Sequence, residues 1–503
     1  MKHLFLFSCL LLLAAALHST SFAQTESIKN RQIITPKSYP VSITNMGEGI
    51  NSSKDDFSPL VLGNGRVIYF TSNREGDQNI YSAVSSGYTW GEPVNIGPSL
   101  NTNENDGSGA MTPDGHWVVF TGCDRDGGLG DCDLYMAEYS GGTFRNVKNL
   151  TTVNSPGWDS QPSLSVDGNT MYFASDRPGG SGGTDIWMSK RSGGDWGVPV
   201  NLGTNVNTEG EEMSPNIAAD NRTMYFSSNG HPGVGGYDIY VTKSAGSSWA
   251  SPENAGSPIN TADDELFYTT QLGTDNVYFA SSRPGGSGGL DIYLGVPNPF
   301  PPNAVTAVIG TVTDEKTKAA VGATLTVRDI KTSEVISTFH SNDQDGNYVV
   351  VLQPGKTYAI TAEAPGYLFY SDRFDVPRDA INTTVRKNIE MTRDVVRLLV
   401  YFDFDKTELQ SESYVDLDRA VQFLKDNPKM RGELAGHTDN VGTREYNIKL
   451  SSDRARAVMD YMVGKGVSPS RLTAKGYAFD EPVTVNDTEE GRAQNRRVEF
   501  RVK

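Results

Sequence analysis

The sequence predicts three folded parts in series: an all-β propeller of five blades, a small β-sandwich, and a C-terminal α/β domain of order β-α-β-α-β-β. Three observations carry this prediction. A chain of 503 residues exceeds what one hydrophobic core organises, so two to four domains are expected. A strand-turn-strand unit recurs five times between residues 38 and 295. Beyond residue 396 the apolar pattern switches to the 3.6-residue period of helices.

The chain opens on Lys2 and His3, an apolar run from Leu4 to Leu17, and Ser21-Phe22-Ala23. That order is the pattern of a secretory signal peptide, with cleavage expected after Ala23. Cys9 lies inside the apolar run, which argues against its use as a lipidation site. No later stretch approaches the roughly 20 apolar residues of a membrane-spanning helix.

Each repeat centres on an aromatic strand: Ile68-Tyr69-Phe70, Val118-Val119-Phe120, Met171-Tyr172-Phe173, Met224-Tyr225-Phe226 and Val277-Tyr278-Phe279. The phenylalanines are spaced by 50, 53, 53 and 53 residues. A Gly-rich turn and a second strand follow, as in Asp185-Ile186-Trp187, which together read as a hairpin. Next comes an outer element, best seen in Trp90 to Gly97 and Trp196 to Gly203, leading to an apolar-Asn-Thr/Ser triplet at Leu100, Val153, Val206 and Ile259. Four short strands per repeat make a propeller blade.

The ends of the array are out of phase. Tyr39 to Gly47 and Ile50-Asn51-Ser52 copy the outer element ahead of the first hairpin, whereas the fifth hairpin has none after it. The N-terminal strand is therefore expected to complete the last blade and remove both open edges.

Cys123 and Cys132 are the cysteines left after cleavage, and in an exported chain two thiols nine residues apart predict a local disulfide. The six histidines show no ligand spacing, so no zinc site or other cofactor is expected. Asp124, Asp126, Asp131 and Asp133 leave calcium as an alternative to plain acidic turns, although they lack the EF-hand pattern. Gly179-Gly180-Ser181-Gly182-Gly183 and Gly285-Gly286-Ser287-Gly288-Gly289 match G-x-S-x-G but sit in hairpin turns, not at a strand-to-helix elbow. The net charge of −17 argues against a nucleic-acid binder. The repeat array resembles the WD-like repeats of TolB-type periplasmic propellers, a resemblance that speaks to fold and not to ligand.

Val296 to Asn303 reads as a stiff, Pro-rich linker. Residues 304–392 then show strands at 307–314, 324–328, 335–339, 348–352 and 358–362. The Gly310-Thr311-Val312-Thr313-Asp314 opening and the Asp345-Gly346-Asn347-Tyr348 turn resemble the carboxypeptidase regulatory-like domain. That resemblance implies a spacer or interaction module, since no zinc ligands or catalytic pair accompany it.

In residues 396–503, Leu398 to Asp405 reads as a strand and Ser411 to Asn427 as a helix stopped by Pro428. A strand at 434–437, a helix at 444–464 and strands at 472–477 and 498–502 follow. Asn447, Leu450, Arg454 and Val458 share one helix face, and the loop bearing Asp439 directly precedes that helix. An Asp and an Arg can thus converge on one pocket, or form a structural ion pair.

Gly436-His437-Thr438-Asp439-Asn440, then Asn447, Leu450-Ser451, Arg454-Ala455 and Val458, resemble the peptidoglycan-binding motif of OmpA C-terminal and Pal domains. Phe402-Asp403-Phe404-Asp405-Lys406 and Asn495-Arg496-Arg497-Val498 fit the same family. The resemblance implies non-covalent capture of a diaminopimelate side chain. Asp439 would pair with the ammonium and Arg454 would fork onto the carboxylate. Asp405, Phe404 and Asn447 would complete the pocket, and Leu450 would pack on the aliphatic stem.

The domain order as a whole resembles OmpA-family envelope proteins of Bacteroidota, including a peptidoglycan-tethering part of type IX secretion machinery. Those proteins carry tetratricopeptide helices before the propeller; here about 15 residues separate Gln24 from the first propeller strand. The expected protein is a non-enzymatic periplasmic scaffold, associated with peptidoglycan and the outer membrane, whose propeller docks an envelope protein. Two rival readings remain: a wall-attached glycan-binding propeller, and an enzyme with its site in the propeller channel.

Overall fold

The computed structural model describes residues 31–503 apart from 63–64, 88, 193–194, 247, 382, 394, 399, 401, 403–405 and 411–412. The signal-peptide reading, Phe404 and Asp405 therefore lie outside the described residues. The chain is mostly β-structure and divides into two compact units, one ending at Ala307 and the other built from most of the residues beyond it.

The first unit contains five antiparallel sheets in chain order. Each begins with a six-residue strand: Asp56–Val61, Asp106–Met111, Asp159–Leu164, Glu212–Ile217 and Glu265–Thr270. Each of these strands contacts its successor, and the fifth contacts the first. Every one carries a bulge with a left-handed residue at its third position: Ser58, Ser108, Gln161, Ser214 and Phe267. A bulge sharpens local twist, and its recurrence marks it as part of the repeat's design.

The fifth sheet takes its fourth strand from the N-terminus. Ser42–Asn45 pairs antiparallel with Asp291–Val296, Ser42 opposite Val296 and Asn45 opposite Tyr293. The apolar-Asn triplets explain why that segment is a repeat out of phase. In each triplet the apolar residue (Ile50, Leu100, Val153, Val206, Ile259) is fully buried. The Asn beside it accepts from the N–H and donates to the C=O of one residue on the third strand of the sheet before it. Asn101 does this to Ile80, Asn154 to Leu134, Asn207 to Ile186 and Asn260 to Ile239. Asn51 does the same to Ile292 of the fifth sheet, at 2.8 and 3.0 Å. One amide thus satisfies two buried backbone groups.

A second recurrent contact is ionic. Arg74, Arg125 and Arg177 bond the buried acids Asp56, Asp106 and Asp159 at 2.5–2.7 Å, and Arg283 reaches Glu265 at 3.3 Å. The fourth sheet departs from this. His231 takes the arginine's carbonyl contact, to Val206 at 2.8 Å, and burial holds its imidazole below the usual range. Glu212 is then left to Thr208 and Ser228, and burial pushes its carboxyl up to about 7.

The predicted disulfide joins Cys123 to Cys132, opposite each other in the second sheet. Among the described residues, no group of three or more His, Cys, Asp or Glu is placed to hold a metal. Asp133 instead accepts the amides of Leu129 and Gly130 and the side chain of Asn149. The 296–303 segment, read as a linker, is pinned to the first unit. Tyr225 donates to the Phe300 carbonyl, Tyr268 to Asn298, and Phe300 packs edge-on against Tyr39 at 5.0 Å.

The second unit begins with two four-stranded sheets over one core that includes Val308, Leu325, Tyr348, Ile360 and Met391. Three of their strands, Tyr370–Asp375, Thr383–Arg386 and Ile389–Met391, escaped the sequence reading because their alternation is broken by charge. A further sheet follows, in the order Val395–Leu398, Val498–Val502, Gly432–Gly436, Leu472–Gly476, with the last two parallel. Its first strand lies upstream of the 398–405 span expected from the apolar run. Helices Tyr414–Asp426 and Arg444–Gly464 accompany this sheet, with a third, Glu489–Asn495, that the expected β-α-β-α-β-β order did not include. The first buries Leu417, Ala420, Val421 and Leu424, while Val415 is exposed. Leu368 and Phe369, from the segment just ahead of the Tyr370–Asp375 strand, lie in this same core.

Candidate functional site

The long helix starts where sequence reading expected, and its N-cap is Thr443, whose hydroxyl accepts from the Tyr446 N–H. Its buried face is unusual. Val458 and Met462 are apolar, but toward the N-terminus the same stripe carries Asn447, Ser451 and Arg454. A polar run on a buried face must be satisfied locally or face a site. Ser451 donates back to the Asn447 carbonyl and accepts from the Ala478 N–H. Gly436 makes this close approach possible, since a Cβ there would run into the Ser451 carbonyl.

Asp439 follows the strand Gly432–Gly436 and is almost buried. One carboxylate oxygen accepts from the Val441 N–H at 3.1 Å, and the other takes the Arg496 guanidinium at 2.8 Å. Asn447 spends its amide N–H groups on the Val441 and Thr443 carbonyls, at 2.9 and 3.1 Å, and so holds the loop that carries Asp439. Gly442 in that loop is left-handed at φ 96°. Arg454 is buried, donates to the Lys406 carbonyl at 3.1 Å, and stacks over Phe402 at 4.9 Å. It therefore engages Phe402 and Lys406, on either side of the undescribed residues 403–405. Leu450 is half-buried on the same helix.

Beside the loop lies a charged cluster that sequence reading did not assign. Glu499 accepts from Arg497 at 2.6 Å and Arg501 at 2.7 Å, with His437 at 3.6 Å. Burial works against its charge, but His437 and the two guanidinium groups hold its carboxyl well below the usual range. Thr438 Oγ1 and His437 Nδ1 are buried with no hydrogen-bond partner among the described residues.

Arg496 is the residue that sequence reasoning left without a role. It is 57 residues from Asp439, and the register of Gly436 opposite Val498 brings the two together. The Asn495-Arg496-Arg497 run was a signal that something charged closes the site, but no spacing rule names its partner.

Residues 401–496 match the model of the OmpA family. The chain thus carries a C-terminal OmpA domain. Outer membrane porin F of Pseudomonas fluorescens is 49% identical over 107 residues, which are 21% of this chain and 33% of that protein. The peptidoglycan-associated lipoprotein of Pseudomonas putida is 45% identical over 101 residues, 20% of this chain and 60% of that one. The chain therefore spans about a third of the first of these relatives and three fifths of the second. A solved structure of the peptidoglycan-associated lipoprotein from Burkholderia pseudomallei is 33% identical, covering 22% of this chain and 90% of that chain, with a TM-score of 0.20. Among the described residues no helix is long and apolar enough to cross a membrane.

Proposed function

We propose that this protein is a non-enzymatic envelope scaffold that holds peptidoglycan through its OmpA domain. The observation that carries the reading is a nearly buried carboxylate, Asp439, in the loop that leads into the Arg444–Gly464 helix, which buries the guanidinium of Arg454. A zwitterionic diaminopimelate end needs one group of each sign. Asp439 takes the ammonium, Arg454 the carboxylate, Leu450 packs on the stem, Asn447 positions the loop, and Asp405 and Phe404 complete the pocket. Relatives named as peptidoglycan-associated support this, as does the family match across the motif.

The N-terminal unit is, on this reading, a five-bladed propeller that docks an envelope protein, type IX secretion machinery being one candidate. Five successive sheets, first strands in closed contact order and a fifth sheet completed from the N-terminus support it. Residues 304–392 are a carboxypeptidase regulatory-like spacer, and the chain is exported to the periplasm after cleavage at Ala23.

The test is co-sedimentation of the full chain with purified sacculi. Asp439→Ala and Arg454→Ala should each weaken binding by about ten- to a hundredfold, the loss of one or two charge-assisted hydrogen bonds. Folded variants that sediment like the parent would show the pair to be structural.

A further inference from the structure

We propose that a cleft between the second and third sheets of the N-terminal unit binds a saccharide. The cleft has a volume of about 540 Å³, within the range of small-ligand sites. Trp117 and Trp196 line it, with Arg191, Asn146, Lys148 and Thr151 around them.

The internal repeat supplies the argument. Positions required by the fold recur from sheet to sheet, so departures are informative. At the place of Trp117 the other repeats have Val67, Thr170, Thr223 and Asn276. At the place of Asn146 and Lys148 they have Glu92 and Val94, Val198 and Val200, and Ser251 and Glu253. The outer strand is also different here. Thr143–Asn149 runs for seven residues, where the neighbouring sheets have two-residue pieces. The second repeat thus carries at these positions a part-exposed indole, which also packs against the core between the second and third sheets, an amide and an ammonium that the other repeats lack.

The chemistry of the lining selects the ligand. Trp196 is 7% exposed, and its indole N–H has no acceptor among the described residues. A buried indole N–H ordinarily finds one. Arg191, the cross-strand partner of Trp196, lies over the Trp117 ring at 5.4 Å and so joins the two sheets across the cleft. The part-exposed indole of Trp117 beside closely mixed donors and acceptors suits a pyranose ring, whose C–H face is apolar and whose rim is hydroxyl or acetamido.

The experiment titrates the full chain with the N-acetylglucosamine trimer and with the glucose trimer, followed by calorimetry. Neither carries diaminopimelate, so the outcome is independent of the OmpA site, and Asp439→Ala should bind like the parent. Saturable binding at about 1 mM or tighter is expected for at least one trimer. Trp117→Ala should weaken it at least tenfold. Thr151→Arg, which changes an exposed rim residue and leaves the core intact, should do the same by filling the cleft. No saturable binding of either trimer, or binding unchanged in folded Thr151→Arg, would overturn the assignment.

Discussion

Arg496 donates to Asp439 across 2.8 Å while its other terminal nitrogen holds Glu489 at 2.7 Å. The carboxylate is therefore oriented before any ligand arrives, with the Val441 N–H on its second oxygen. A carboxylate offers about four acceptor positions, so two remain for an incoming ammonium.

Arg496→Ala should accordingly weaken retention on sacculi by a few-fold, less than Asp439→Ala, because it loosens the carboxylate without removing it. Arg496→Lys should restore part of the loss. Co-sedimentation across the three variants checks the order, and an Arg496→Ala protein that binds more tightly than the parent would reveal a competitor and not an orienting group.

Glu212 makes the fourth sheet sensitive to pH. Its carboxyl titrates near 7 in the folded chain against an ordinary 4.5. The folded state thus binds the proton more tightly, so the associated stability is complete below about pH 4.5 and is lost as pH rises through 7. The loss amounts to roughly 3 kcal/mol at most. Glu212→Gln keeps the Thr208 and Ser228 contacts, since hydroxyls can reverse roles. Urea denaturation should find it more stable than the parent at pH 8 and equal to it near pH 4.

Arg31 and Asp238 form a pair with almost no exposed side-chain surface, 2.5 Å apart. Removing the guanidinium strands a carboxylate that burial already pushes up. Arg31→Ala should cost about 3–5 kcal/mol. Adding Asp238→Asn should recover part of that, so the double variant loses less than the sum of the singles. Additive losses would mean that Arg31 acts through its carbonyl contacts to His231 and Gly235 instead.

Asn51→Ala should leave the Ile292 N–H unsatisfied, with the Ile292 C=O keeping only the Met46 N–H, and weaken the junction between the N-terminal strand and the fifth sheet. A cost of about 1–3 kcal/mol is expected. Hydrogen exchange should show faster opening of Ser42–Asn45 and Asp291–Val296 than of the second sheet. Uniform exchange would contradict this.

Reducing the bridge between Cys123 and Cys132 should lower stability by about 2–3 kcal/mol, the chain-entropy value for so short a loop. Thiol counting of the purified, non-reduced protein should find neither cysteine free.

The sequence by itself determined the repeat, the disulfide pair and the positions of Asp439, Asn447, Leu450 and Arg454. These are legible because they are local: a strand alternates, a helix returns every 3.6 residues, and a five-times-repeated motif separates fold from exception. The tertiary structure alone decided which distant groups meet. Arg496 reaches Asp439 through strand register, Arg31 reaches Asp238 by crossing to the fourth sheet, and Trp117 faces Arg191 across two sheets. No local pattern encodes these, because each depends on how two separately formed elements pack. Burial then sets their consequences: Glu212 becomes a proton-binding group because its carboxyl is enclosed in the fourth sheet.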